Sequence, residues 1–228
     1  MGVVAENIQR IEERMQNACT RTGRRREDVR LMAVSKRQPI DRIEEGIAAG
    51  LRLFGESIVQ ETKERIHLFP EDSSVHLIGH LQRNKAKDAA AMYGAVQSLD
   101  DERTVTALAR RLEEMDKTID AYIEMNTSGE DSKYGVGSYA ELASLAEMIE
   151  KENRLRLVGL MTIGPLTDDE RAIHSAFASL RDQKERLERE LERALPELSI
   201  GMSQDLEIAI AEGSTMVRIG TGIFGDRA

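Results

Sequence analysis

The chain has 228 residues, enough for one full α/β barrel, and 41 acidic against 32 basic side chains leave a formal net charge of −9. That balance argues against nucleic acid or an anionic membrane surface as a partner. A lone cysteine, Cys19, excludes a disulfide framework and a thiolate metal cluster. No apolar run reaches the length of a membrane span and the N-terminus lacks a signal-peptide core, so the expected location is cytoplasmic.

In chain order, Ile8, Ile11, Met15 and Cys19 recur at helical spacing, with Gly23 as a stop signal. Short apolar runs then alternate with amphipathic segments. The runs at 29–34, 51–54, 75–78, 95–99, 119–125, 155–161, 198–202 and 216–219 predict strands. Helical patterns lie near 41–49, 57–67, 85–92, 101–115, 139–150, 168–195 and 205–211. Eight strands alternating with helices predict a (β/α)8 TIM barrel with an extra N-terminal helix. A doubly wound open sheet is the alternative, because periodicity cannot show closure. No Pro/Gly/Ser-rich linker divides the chain, so residues 1–228 are read as one domain. Segment 168–195 carries Ile173, Phe177, Leu180, Leu187, Leu191 and Leu195 on one face. It is too short for several clean heptads and reads as a charged outer helix.

The run Leu31-Met32-Ala33-Val34-Ser35-Lys36 lacks polar alternation, as a strand buried on both faces requires, and Pro39 ends it. Lys36 therefore stands at the carboxyl end of a buried strand, the edge where α/β folds bind ligands. It is either a strand-end lysine reaching solvent or a Schiff-base lysine, desolvated enough to attack an aldehyde.

Near the C-terminus, Gly220, Gly222 and Gly225 spell GxGxxG after a strand. Only three residues follow Gly225, which leaves no room for the βαβ unit of a dinucleotide site. In a barrel, the loops after the last two strands often hold phosphate. Here these are Gly201-Met202-Ser203-Gln204 and Gly220-Thr221-Gly222, with hydroxyls at Ser203 and Thr221. Ser203 is equally placed to be a helix N-cap, and Asp205 weakly opposes an anion. Arg218 points opposite to Val217 and Ile219, either into the barrel mouth or under the helices. Buried, it needs an acceptor, and an uncharged ring nitrogen supplies one. Read as a Schiff-base lysine beside a phosphate loop, Lys36 suggests pyridoxal phosphate; read as a strand-end lysine, it does not. An arginine partner, unlike aspartate, disfavours ring protonation and weakens the electron sink.

Ordered blocks carry a resemblance over nearly the whole chain. They are Ala33-Val34-Ser35-Lys36, Phe54-Gly55-Glu56 with Val59-Gln60-Glu61, and His76-Leu77-Ile78-Gly79-His80-Leu81-Gln82 with Asn84-Lys85. Further on come Asn126 with Ser128-Gly129-Glu130 and Lys133, Gly159-Leu160-Met161, Gly201-Met202-Ser203, and Val217-Arg218-Ile219-Gly220 with Ile223-Phe224-Gly225. The chain resembles the pyridoxal phosphate homeostasis proteins, single-barrel relatives of the N-terminal domain of bacterial alanine racemase. The resemblance implies a fold-type III barrel with Lys36 as the aldimine lysine. It implies phosphate contacts from Ser203, Gly220 and Thr221, with Met202 in the same loop, and Arg218 at the pyridine nitrogen. Where the family usually has asparagine after its glycine-glutamate block, this chain has Ser57, which is too short to replace it without a bridging water. Ser57 and His80 are kept as cofactor-binding candidates, although a histidine near a strand end is often structural. Asn126 and Lys133 are placed beside the mouth, with Lys133 equally readable as a solvated loop lysine, and Met161 in a barrel layer. His67, His76 and His174 are not spaced as metal ligands, so no metal is expected.

Two functions follow from that resemblance. One is a carrier that holds pyridoxal phosphate, buffers it and releases it to apoenzymes, as a monomer. The alternative is a pyridoxal phosphate-dependent amino-acid racemase. Racemisation needs two bases on opposite faces of the α-carbon. In alanine racemase the second is a tyrosine from another domain, and none of Tyr93, Tyr122, Tyr134 and Tyr139 matches it, although Tyr134 falls nearest the mouth. The carrier is the favoured expectation. A phosphate-sugar barrel enzyme, which needs no chromophore, is a third.

Overall fold

The apolar runs become strands, and the strands close into a ring. The computed structural model describes residues 2–128, 130 and 134–225. Its strands are β1 Arg30–Val34, β2 Leu53–Glu56, β3 Ser74–Leu77, β4 Ala95–Leu99, β5 Ile119–Glu124, β6 Leu155–Met161, β7 Glu197–Ser199 and β8 Met216–Ile219. All are parallel and pair in sequence order. β8 returns to β1, with Leu31 opposite Val217 and Ala33 opposite Ile219, so no strand edge is left free. That closure decides for the barrel over the open sheet.

Strand alternation sorts the side chains into two layers. Met32, Ala95, Tyr122, Val158, Met161 and Met216 pack together in the barrel interior. Their strand neighbours, among them Ala33, Val96, Ile123 and Val217, join the larger core under the helices. Met161 takes the interior position expected of it. Each Val, Leu, Ile, Phe or Met side chain removed from water in these layers contributes about 1.5–3 kcal/mol.

The helices are α1 Val3–Arg21, α2 Ile40–Ala48, α3 Val59–Arg65, α4 Ala86–Met92, α5 Glu102–Glu114, α6 Tyr139–Glu150, α7 Glu170–Leu191, α8 Leu206–Ala211 and α9 Thr221–Phe224. Local caps explain their starts. The Asp101 carboxylate accepts the Arg103 and Thr104 amides at 2.9 and 3.0 Å, and Ser138 with Glu141 forms a capping box on α6. α7 stops at Glu192, which takes a left-handed φ of 52°. It is one outer helix that buries Ile173, Ala176, Phe177, Leu180 and Leu187, and it ends before Leu195.

Two differences from the sequence reading bear on function. The run at 198–202 leaves the ladder after Ser199, because Gly201 turns with φ +95° and its α-carbon faces the Ala209 side chain. A Cβ at Gly201 would lie 2.4 Å from that methyl, so the turn requires glycine. The glycine-rich C-terminal stretch, in turn, forms the short α9, and α1 packs against α2, α8 and α9. Among the described residues no helix is long and apolar enough to cross a membrane.

Candidate functional site

At the carboxyl end of the strands lies a cleft of about 440 Å³ whose wall includes Lys36, Met202, Ser203, Arg218, Gly220 and Thr221. Lys36 and Arg218, 182 positions apart in sequence, thus share one cleft, because β1 and β8 are neighbours in the ring. Ser57 and His80 do not line this cleft. A wider surface depression of about 610 Å³ sits at the opposite end of the barrel, between α5 and residues 152–154, among the ion-paired Arg110, Glu113 and Arg154.

Lys36 is half-buried in a tight turn immediately after β1. Three hydrogen bonds pin its backbone neighbours. The Ser35 amide donates to the Gly55 carbonyl at 3.1 Å, and the Gln38 amide closes the turn onto the Ser35 carbonyl at 3.1 Å. Arg37 adopts a left-handed φ of 56°, costly for a residue with a Cβ, and its amide donates to Glu61 Oε1 at 2.8 Å. Behind the turn, Glu56 is fully buried and accepts Ser35 Oγ at 2.6 Å and Arg65 Nη2 at 2.7 Å. Arg65 also meets Glu61 at 2.8 Å, one helical turn away on α3. Burial pushes the Glu56 carboxyl up, while Ser35 and Arg65 pull it back toward the charged form. α3 and β2 thereby fix the direction in which Lys36 leaves the barrel rim. The sequence reading gave Glu56, Glu61 and Arg65 no role.

Arg218 faces into the barrel mouth, which resolves its two sequence-level placements. It is 4% exposed. Nη1 donates to the Ser199 carbonyl at 2.6 Å and to Ser199 Oγ at 2.8 Å, and Nη2 donates to the Thr162 carbonyl at 2.7 Å. A guanidinium has five N–H donors, so Nε–H and one N–H of Nη2 have no acceptor among the described residues. Burial draws the guanidinium down to about 10, while Glu124 and Asp205 support its charge, so Arg218 is a cation at neutral pH.

The opposite wall is a cradle of hydroxyls and amides. Ser203 Oγ accepts the Gly222 amide at 3.2 Å and lies 3.4 Å from the Thr221 hydroxyl. It is not the N-cap of α8. Asp205 holds that position and turns its carboxylate to the Met202 amide at 2.5 Å. A Cβ on Gly222 would meet Ile219, Ile11 and Ser203 Oγ at 2.9–3.2 Å, so glycine lets the cradle close without displacing these side chains. α1 braces it from behind. Arg14 donates to the Ser203 carbonyl at 2.9 Å while pairing with Glu207 at 2.8 Å, and Asn7 donates to the Ile223 carbonyl at 2.8 Å. The extra N-terminal helix is therefore part of the site's support.

The far side of the mouth is different. His80 stacks on the exposed Tyr134 ring at 4.2 Å, with Nδ1 3.6 Å from Asp100. Glu124 ends β5 on the inward face, 5% exposed, and burial with the nearby Asp100 pushes its carboxyl up to about 7. The Ser57 hydroxyl is buried with no hydrogen-bond partner among the described residues. Gly129 and Lys133 lie outside the described residues. Asn126 donates to the Glu130 carbonyl at 2.8 Å. Tyr93 and Tyr122 are core residues, and Tyr139 lies on α6 under Arg186.

The alanine racemase N-terminal domain family matches residues 6–228. A pyridoxal phosphate homeostasis protein of Aquifex aeolicus is 38% identical over 226 residues, covering 97% of either chain. That of Escherichia coli K12 is 38% identical over 239 residues, covering 100% of this chain and 98% of its own. Among solved structures, PipY of Synechococcus elongatus with pyridoxal phosphate bound aligns with a TM-score of 0.82 and 31% identity, over 97% of this chain and 100% of PipY. An alanine racemase of Clostridium difficile aligns with a TM-score of 0.79 at 12% identity, over 98% of this chain and 56% of its own, a likeness of fold alone. The chain belongs to the alanine racemase N-terminal domain family and stands among its pyridoxal phosphate homeostasis proteins.

Proposed function

We propose that the protein binds pyridoxal 5′-phosphate covalently through Lys36 and acts in its intracellular homeostasis, buffering it and delivering it to apoenzymes rather than catalysing strongly. The observation that carries this reading is Arg218, a buried cation on the cleft wall with two N–H groups left over, between an amine and a hydroxyl–amide cradle. These donors fit the group: an amine for an aldehyde, N–H groups for a ring nitrogen, and Ser203, Thr221 and glycine amides for a phosphate. PipY, so similar in fold and sequence, holds the same cofactor.

When bound, the cofactor supplies an aldehyde that condenses with a primary amine with loss of water. The chain's residues do the rest. Lys36 offers the amine from a turn clamped by Glu61 and the Glu56–Arg65 pair. Ser203, Gly220 and Thr221 hold the phosphate, with Met202 covering it. Arg218 donates to the ring nitrogen and, as a cation, opposes its protonation, which weakens the electron sink and favours a carrier. The whole chain is read as one domain, a monomer in the cytoplasm.

The test is the absorbance of the protein with added pyridoxal phosphate before and after borohydride reduction, followed by peptide mass mapping. A band that reduction fixes onto Lys36 supports the reading. No band, or label scattered over surface lysines, overturns it. Arg218→Glu should shift the band by permitting ring protonation, and an unchanged spectrum would remove Arg218 from the ring nitrogen.

A further inference from the structure

Polar side chains inside a barrel core demand an account, because an unpaired buried dipole is costly. Four of them, Arg218, Ser199, Gln97 and His76, are at most 4% exposed and form one chain. Arg218 Nη1 lies 2.8 Å from Ser199 Oγ, and Ser199 Oγ lies 2.7 Å from Gln97 Oε1. Gln97 Nε2 lies 2.9 Å from His76 Nδ1, and His76 Nε2 lies 3.0 Å from Ser74 Oγ, at the first residue of β3. The chain thus runs from the barrel mouth to the opposite end of the strands.

Elementary donor counting sets its sense. A guanidinium cannot accept, so Ser199 Oγ accepts from Arg218 and sends its own hydrogen onward. The atom of Gln97 that receives it must be the oxygen, which turns the amide nitrogen toward His76. Nδ1 of His76 must then be the bare nitrogen, and Nε2–H donates to Ser74. Every link points away from Arg218, so each dipole shows its negative end to the cation, and such links polarise one another. Burial and the Arg30 charge hold the His76 ring down to about 3, so it stays neutral and cannot reverse the sense.

We propose that Ser199, Gln97 and His76 form a one-way hydrogen-bond relay that positions Arg218, making Gln97 and His76 positioning residues for the ring nitrogen of the cofactor. The proposal rests on the assignment of Arg218 to that nitrogen. Neither residue touches the cleft; both act by fixing which guanidinium N–H groups remain for it.

The test joins two readouts. In cofactor-free wild-type protein, ¹⁵N NMR should show His76 protonated on Nε2 alone across neutral pH; an Nδ1–H tautomer overturns the relay. In protein loaded with pyridoxal phosphate, Gln97→Leu should shift the absorbance maximum and weaken binding about fivefold, the loss of roughly one net hydrogen bond. Borohydride should still place the label on Lys36. Ser199→Ala should shift the maximum similarly, and the double variant should go no further than either single one, because one relay is broken once. An unchanged maximum in the single variants, or additive shifts in the double one, overturns the proposal. Should Gln97→Leu not fold, Ser199→Ala and the His76 tautomer decide. Wild-type protein that takes up no pyridoxal phosphate overturns the functional reading and the role with it, whereas the wrong tautomer in protein that does bind overturns the relay alone.

Discussion

The two sides of the barrel mouth are built on different terms. On the side of β7, β8, β1 and β2, Ser203 meets Gly222, Glu56 meets Ser35 and Arg65, and Arg218 is held by Ser199 and Thr162. On the side of β3 to β5, the Glu124 carboxylate has neither hydrogen bond nor ion pair among the described residues, and His80 reaches Asp100 only at 3.6 Å. The first side is preorganised, its donors locked in place before a ligand arrives. The second carries charge that burial opposes and nothing nearby fully offsets. Locked hydrogen-bond geometry is thus concentrated on one half of the rim, and the other half tolerates carboxylates with raised affinity for protons.

The largest effect falls on the locked side. Lys36→Ala should abolish borohydride-fixed attachment of pyridoxal phosphate completely. Arg218, Ser203 and Thr221 should still hold part of the cofactor without a covalent bond, measurable by dialysis. A fixed label that persists at one other residue would place the amine elsewhere and break the contrast between the two sides.

Next comes the clamp behind the turn. Arg65→Met leaves Glu56 buried at 0% exposure without its cation. Losing one partner of a buried pair costs about 3–5 kcal/mol, so urea unfolding should move by that amount. Glu56→Gln combined with Arg65→Met should recover much of it, because no lone charge remains. If Arg65→Met proves neutral, the turn is held by its backbone hydrogen bonds with the Ser35–Glu56 and Arg37–Glu61 contacts, and the Arg65 cation adds nothing.

How far the sequence foretold this contrast depends on which interactions are local. Apolar runs and amphipathic periods reveal the strands and most helices; Lys36 stands out as a polar residue at the end of an apolar run, and Arg218 as a charge flanked by Val217 and Ile219 within one. Closure was not legible, since the β1–β8 pairing is a long-range register. Nor was the clamp: Glu56, Glu61 and Arg65 meet only once α3 folds back over β2. The polar residues His76 and Gln97 interrupt predicted strands at inward positions, a visible signal that these barrel layers are not purely apolar. Asn7 and Arg14 look like ordinary surface positions of an amphipathic helix until the short α9 brings the Ile223 carbonyl to Asn7, and Ser203 with Glu207 on α8 comes to Arg14.

The open side yields a prediction of opposite sign. The Glu124 carboxyl titrates at about 7 when folded, above its ordinary 4.5, through burial and the negative Asp100, with Arg218 opposing. Between these values the folded chain keeps a proton that the unfolded chain has lost, so stability falls as pH rises through that window. The penalty is complete above 7 and absent below 4.5. Glu124→Gln should therefore stabilise the protein by about 2–3 kcal/mol near pH 8 and by little near pH 5, read from urea midpoints. Equal effects at both values would mean that Glu124 is solvated, and the asymmetry of the rim would shrink.

The smallest effect separates phosphate recognition from fold support. Ser203 Oγ is half-buried and accepts one amide at 3.2 Å, so Ser203→Ala should cost only about 0.5–1.5 kcal/mol of stability. The carbonyl of the same residue still receives Arg14, because that contact is to the backbone. Pyridoxal phosphate should bind about fivefold more weakly to this variant, while pyridoxal, which lacks the phosphate, should bind as to the wild type. A matching loss for both ligands would show that the hydroxyl shapes the Gly220–Gly222 turn rather than meeting the phosphate, and would move the anion's contacts to the glycine amides and Thr221.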